Sequence, residues 1–165
     1  MDDLKYIRSA AKCMREWRDM ELNELTKLGC QLSYRPSSGM SSMGWLLAHQ
    51  GAVYDFSLNF LIRGEGPKHS EMFNNYRPGT SGEWLETPLE EILEFFDTTE
   101  REFLQWTENA DAQEFDRIIE GERVPKFFLG RSVREIVATM FTHLNYHTGH
   151  LAALKNSWMA ESRPK

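Results

Sequence analysis

Cysteine is scarce: Cys13 and Cys30 are the two among 165 residues. Neither stands in a Cys-x-x-Cys pattern or at a Cys/His ligand spacing. Both fall in the first predicted helix, where their separation is roughly 25 Å by helical rise, too far for a disulfide between them. They are read as reduced thiols, with Cys30, near the helix end, the one open to reaction. Long apolar runs are also missing. No stretch approaches the roughly 20 apolar residues that span a bilayer, and the N-terminus MDDLKYIRSAAK lacks the apolar segment of a signal peptide. The expectation is a cytoplasmic protein with no membrane partner. Dense basic clusters are absent too. With a net charge of −6 and no run of Lys and Arg to offset it, a phosphate backbone is a poor ligand, so nucleic acid is not an expected partner. Internal repeats and low-complexity tracts are lacking as well.

What remains is a chain the size of one domain, spanning 1–165. A chain of this length buries about two-thirds of its unfolded surface. It therefore needs no disulfide or structural metal to stay folded, and a metal, if bound, serves function.

Four segments show helical period. The first runs from about Asp3 to Gly29, with Leu4, Ile7, Met14, Trp17, Leu25 and Leu28 as its apolar face; Gly29 is its C-terminal stop. Arg18, Glu21 and Glu24 lie close to that stripe and make it the least regular. The second runs from Met43 to Arg63, with Ser41 or Ser42 as N-cap. A long polar loop, Gly64 to Glu86, follows; loops of this length are usually functional or mobile. The third helix opens on Thr87-Pro88-Leu89-Glu90, which reads as a capping box with proline at the first helical position, and runs to about Glu108. Residues 109–131 are irregular, with a short hairpin expected over Arg117–Phe128 around Glu120-Gly121. The fourth helix starts at the capping box Ser132–Glu135 and runs to about Trp158. Four amphipathic helices without a convincing sheet predict an all-α four-helix bundle with long connections.

The histidines break the apolar pattern. Ile136, Met140, His143, His147, His150 and Leu154 follow three- and four-residue steps and share one helical face. In the second helix Leu46, His49, Val53, Phe56 and Phe60 do the same. A buried imidazole without a partner costs about 1–3 kcal/mol. A lone His on an apolar face is more often bonded to a carbonyl or carboxylate. For His143 and His147, at i and i+4, with His49 on a second inward stripe, one metal ion is the economical common partner. His69, in the polar loop, is read as solvated.

The residues around these histidines resemble a known family. Ser42-Met43-Gly44-Trp45-Leu46-Leu47-Ala48-His49 is similar to the second-helix signature of the DinB/YfiT-like superfamily, and Thr142-His143-Leu144-Asn145-Tyr146-His147-Thr148-Gly149-His150-Leu151 resembles its fourth-helix His-x3-His motif. The order of elements fits over nearly the whole chain. The resemblance implies a four-helix bundle with a divalent ion, nickel or zinc, on His49, His143 and His147, and places His150 beside the site rather than on the metal. It also implies a transferase that joins a low-molecular-weight thiol to a small electrophilic substrate.

Three protein nitrogens leave a coordination position open, as in catalytic sites. A cation there lowers the pKa of a thiol or of water. The leading expectation is a metal-dependent S-transferase. The alternatives are a hydrolase using bound hydroxide and a non-catalytic metal-binding bundle, acting as a sensor or a partner-binding homodimer. A cavity at an open site favours the enzymes; a closed site with His150 as a fourth ligand favours the bundle. Metal affinity is expected to fall as pH drops through the imidazole range near 6.5. Gln50, Tyr54, Asp55 and Tyr146 lie near the site in sequence and are read as packing or surface residues. Tyr76, Arg77 and Trp84 are read as part of an ordinary packed loop, the alternative being that they cover the mouth of the site.

Overall fold

A computed structural model describes residues 3–29 and 31–162, without the side chains of Asp3 and Leu4. Cys30 and the expected packing of Leu4 therefore lie outside the described residues. The helices in chain order are α1 (Asp3–Leu28), α2 (Met43–Asp55), which continues as a π-helical segment over Phe56–Ile62, α3 (Ser70–Tyr76), α4 (Leu89–Asn109), α5 (Ala112–Asp116) and α6 (Val133–Ser162). No strand forms among the described residues; one isolated antiparallel bridge joins Ile118 to Ser132. The expected all-α bundle is the fold. No helix is long and apolar enough to cross a membrane among the described residues.

The four long helices do not pack in chain order. α2 lies against α4 and α6, and α1 lies against the same two from the other side. Of the consecutive long helices, α1 and α2 sit on one diagonal and α4 and α6 on the other, while α2 and α4 pack side by side. α2 is buried nearly all round, because α3 covers a further flank. Its sequence needs that environment: Met43, Leu46, Leu47, Ala48 and Ala52 leave little polar surface. Close approach to α4 depends on Gly51, where a Cβ would lie 2.7 Å from a Phe95 ring carbon and 3.3 Å from the Phe96 Cα.

The three expected caps behave differently. Ser132 and Glu135 form the reciprocal box, Ser132 N–H donating to Glu135 Oε2 (2.8 Å) and Glu135 N–H to Ser132 Oγ (3.2 Å). Ser42 caps α2 by accepting from Trp45 N–H at 3.3 Å. The box expected at Thr87 does not form: α4 begins at Leu89 with Pro88 as N-cap and no side-chain cap. Thr87 Oγ1 instead lies 2.5 Å from the Tyr76 hydroxyl, and its carbonyl accepts from Trp84 Nε1 at 2.8 Å. Tertiary partners outcompeted the local cap.

The first helix is also corrected. Ile7, Ala11, Met14 and Leu25 face the core, while Trp17 is 61 % exposed and Leu28 is exposed as well. Arg18 takes the inward position, 5 % exposed, because partners wait there. Its guanidinium reaches Glu100 Oε2 at 2.6 Å and Asp97 Oδ1 at 2.8 Å, and lies over the Phe96 ring. Glu100 also accepts from the Tyr54 hydroxyl. Burial raises the Glu100 carboxyl, and Arg18 opposes that rise. Glu21 and Glu24 bind Lys155 of α6, which is itself buried. These pairs explain why charge interrupts the α1 stripe.

The links are more ordered than the sequence suggests. The polar loop holds α3, and residues 109–131 hold α5. In place of a hairpin over Arg117–Phe128, Ile119 N–H donates to Arg131 O (2.8 Å) and Gly130 N–H to Ile119 O (2.9 Å), so the strand-like pairing reaches past Phe128.

Candidate metal centre

The site starts with a buried carboxylate away from the histidines. Asp55, at the end of α2, accepts from the backbone N–H groups of Lys68 (2.9 Å) and His69 (2.8 Å) and from Asn59 Nδ2 (2.7 Å). This ties the chain after the π-helical segment to α2 and starts α3 beside it. His69 is the N-cap residue of α3 and packs edge-on against Phe95, half-buried rather than solvated. α3 then delivers Tyr76, fully buried, to the middle of α2.

There the Tyr76 carbonyl accepts from His49 Nδ1 at 2.6 Å. A carbonyl only accepts, so Nδ1 carries the proton and the His49 Nε2 lone pair points away from Tyr76. Trp45, one turn earlier, stacks on the imidazole at 4.3 Å between centroids, with the two planes 11° apart, and donates its own Nε1 to Thr80 Oγ1. His49 is thereby held on its face and at one nitrogen.

His143 and His147 project from α6 toward the same place. His49 Nε2 lies 3.1 Å from His143 Nε2, and His147 Nε2 lies 2.9 Å from that same atom. The three donor nitrogens fall within 4.8 Å of one another, and no carboxylate or cysteine joins the group among the described residues. His49 is 1 % and His147 7 % exposed, while His143 is half-buried. Burial, followed by the charge of His143, lowers the His49 pKa to about 4; burial, followed by the other rings, lowers that of His147 to about 3. Burial lowers His143 too. All three are neutral at pH 7, the form that ligates. Competition by protons in the folded protein accordingly sits below the expected range near 6.5.

This donor set fits a divalent cation. With the His49 Nε2 lone pair fixed, one proton on His143 Nε2 satisfies a single contact well and leaves the other nitrogen without a partner of its own. A cation accepts all three lone pairs at once. At an N–metal distance of about 2.1 Å, ligand nitrogens sit about 3.0–3.4 Å apart for angles from 90° to tetrahedral, close to the two contacts seen. His147 Nδ1 is buried with no hydrogen-bond partner among the described residues. Leaving it so costs about 1–3 kcal/mol, a ring position that stability alone does not favour.

The other residues singled out from the sequence separate clearly. His150 lies one turn further along α6, half-buried, outside the three-nitrogen group. Gln50 accepts from Thr148 and donates to Leu46 O, a packing role. Tyr54 belongs to the Arg18–Glu100 network, and Tyr146 is 65 % exposed. Glu21 and Glu24 are occupied by Lys155. Trp84 packs on α2, where a Cβ on Gly44 would approach its ring to 2.7 Å. Arg77 lines a cavity of about 540 Å³ bordered by His143, with walls from Ala52, Val53, Phe56, Phe73, Phe127, Phe128, Ile136 and Met140. The Tyr76 carbonyl and this cavity were not visible in the sequence: a backbone acceptor leaves no residue-type signal, and the walls come from four separate segments.

Comparison with known proteins agrees with the geometry. No curated protein matches the chain. The family model of the DinB superfamily matches residues 19–151, a span that contains His49, His143, His147 and all of α2 to α5. The chain belongs to the DinB superfamily.

Proposed function

We propose that this protein is a divalent-metal-dependent enzyme that transfers a low-molecular-weight thiol to a small electrophile. The observation that carries the reading is the meeting of three imidazole nitrogens, with no fourth protein ligand among the described residues, at the border of a cavity of about 540 Å³. That volume lies in the range of small-molecule sites. A closed cluster with His150 as fourth ligand would have favoured a non-catalytic bundle.

His49, His143 and His147 hold the ion, nickel or zinc as the family resemblance implies, both of which suit imidazole ligands. Bound there, a divalent cation lowers the pKa of a thiol, so that a thiolate exists at neutral pH. The chain itself does the rest. The Tyr76 carbonyl and the Trp45 ring fix His49 in its ligating tautomer. The apolar cavity walls bind the electrophile and keep water from it. In the transfer a sulfur–carbon bond forms, the leaving group departs with its electron pair, and the thiol proton passes to solvent.

The test combines metal analysis of protein purified without chelator with conjugation of 1-chloro-2,4-dinitrobenzene by a panel of biological thiols. The expected result is metal-dependent thioether formation with release of chloride, abolished in His143→Ala. Metal-dependent ester or amide cleavage with no thiol transfer would replace this reading by a hydrolytic one. Absence of both activities would leave a metal-binding bundle.

A further inference from the structure

The cavity beside His143 has an unusual charge balance for this chain. Asp and Glu number 25 in the sequence, yet none lines the cavity, and Arg77 is the one formally charged side chain that does. The walls are otherwise apolar and rich in aromatic rings. Phe56 and Phe73 lie parallel, 8° apart at 5.6 Å between centroids, and Phe56 stacks on Phe60 on its other side. Phe56 thus sits within a stacked column of rings, with Phe127 and Phe128 as further aromatic lining.

Arg77 is fixed at its backbone and free at its head. Tyr76 before it is anchored twice, by its carbonyl on His49 and its hydroxyl on Thr87. Pro78 after it restricts Arg77 to extended backbone, and the observed angles are φ −72° and ψ 163°. The Arg77 carbonyl accepts from Thr80 Oγ1 at 3.0 Å. The guanidinium, by contrast, has no hydrogen-bond or ion-pair partner among the described residues. Arg77 is exposed, at the open edge of the apolar cavity; with no counter-charge beside it, its guanidinium can reach an anionic ligand group, and the fork of a guanidinium suits a carboxylate.

We infer that the electrophile bound in this cavity is an apolar, aryl-type molecule bearing one anionic group, which Arg77 holds while the apolar body lies among the phenylalanine rings. The role as acceptor substrate rests on the function proposed above; the selectivity for an aryl anion does not, and is tested by binding.

The probes are 2-naphthoate and its neutral counterpart 2-naphthamide, titrated calorimetrically into wild-type protein both after chelator treatment and after zinc loading. The chelated sample removes direct binding of the carboxylate to metal. The expected result is one naphthoate per chain, bound about tenfold more tightly than the amide in both samples, as for one charge-assisted contact. Arg77→Gln should bring the acid down to the affinity of the amide and leave the amide unchanged. Arg77→Lys should retain part of the preference. Val53→Phe on α2 and Thr139→Phe on α6, which add bulk to the cavity from two helices, should each weaken both ligands tenfold or more in whichever variant keeps its helical circular dichroism. Equal binding of acid and amide by the wild type, an equal loss of both in Arg77→Gln, or undiminished binding in a folded cavity-filling variant would overturn the inference. Metal analysis of the same samples separates the two claims: no metal with intact anion selectivity defeats the proposed function alone, and metal without selectivity defeats the inference alone.

Discussion

Acidification of the metal-free protein tests the burial of the histidine cluster. In the unfolded chain an imidazole titrates near 6.5. In the folded protein burial lowers His49 to about 4 and His147 to about 3. Because the folded pKa values are depressed, the unfolded state binds protons that the folded state refuses. Stability is therefore full above pH 6.5 and is lost as pH falls toward the folded values. Linkage puts the loss at pH 5 at about 2 kcal/mol for each such ring. His143 acts in the same direction. Glu100, raised by burial, acts in the opposite one, and the lowered carboxyls of Glu24 and Glu135 enter only below the ordinary carboxylate range. A difference measurement removes these backgrounds. Urea unfolding with chelator present, followed by circular dichroism at pH 7.5 and pH 5, should show wild type losing about 2 kcal/mol more than His147→Gln over that interval. An identical loss in the two proteins would mean that His147 titrates as in water, and the buried cluster described above would be wrong.

Three further outcomes follow from particular contacts. Arg18→Met leaves Glu100 buried without its main partner and should cost about 3–5 kcal/mol by urea unfolding, while Arg18→Met/Glu100→Leu should recover most of that; a neutral single variant would contradict the assignment. Asp55→Ala removes three accepted hydrogen bonds, should cost about 3 kcal/mol, and should weaken zinc binding about tenfold through the segment that supplies the Tyr76 carbonyl; unchanged stability would refute this. Metal removal should leave far-UV circular dichroism intact, because the apolar core does not depend on the site; collapse of the helical signal would make the metal structural.

The long helices were legible because each runs for several turns, so that period, cap and breaker agree. α3 and α5, at seven and five residues, are too short for period to register. The Thr87 box and the α1 face were misread for one shared reason: side chains with good local or apolar signals lost to tertiary partners, Tyr76 in one case and the Glu100–Asp97 pair in the other. Nothing in the sequence marks the π-helical turn over Phe56–Ile62. The inward direction of His49, His143 and His147 was legible, because spacing fixes the face on which a helical side chain lies. Their meeting at one point depends on how far α2 and α6 are offset along the bundle, which no single-helix pattern contains. His69 reads from the sequence as a solvated loop residue, because its burial comes from Phe95, far along the chain.

The proposed function requires that His49, His143 and His147 hold one divalent ion. Calorimetric titration of zinc into chelator-treated protein at pH 7.5 tests it most directly, with His143→Ala run beside the wild type. One ion per chain is expected for the wild type, with an affinity at least about a hundredfold weaker for the variant, since His143 Nε2 is the nitrogen that both other rings approach. No binding by the wild type, or equal binding by both proteins, would contradict it.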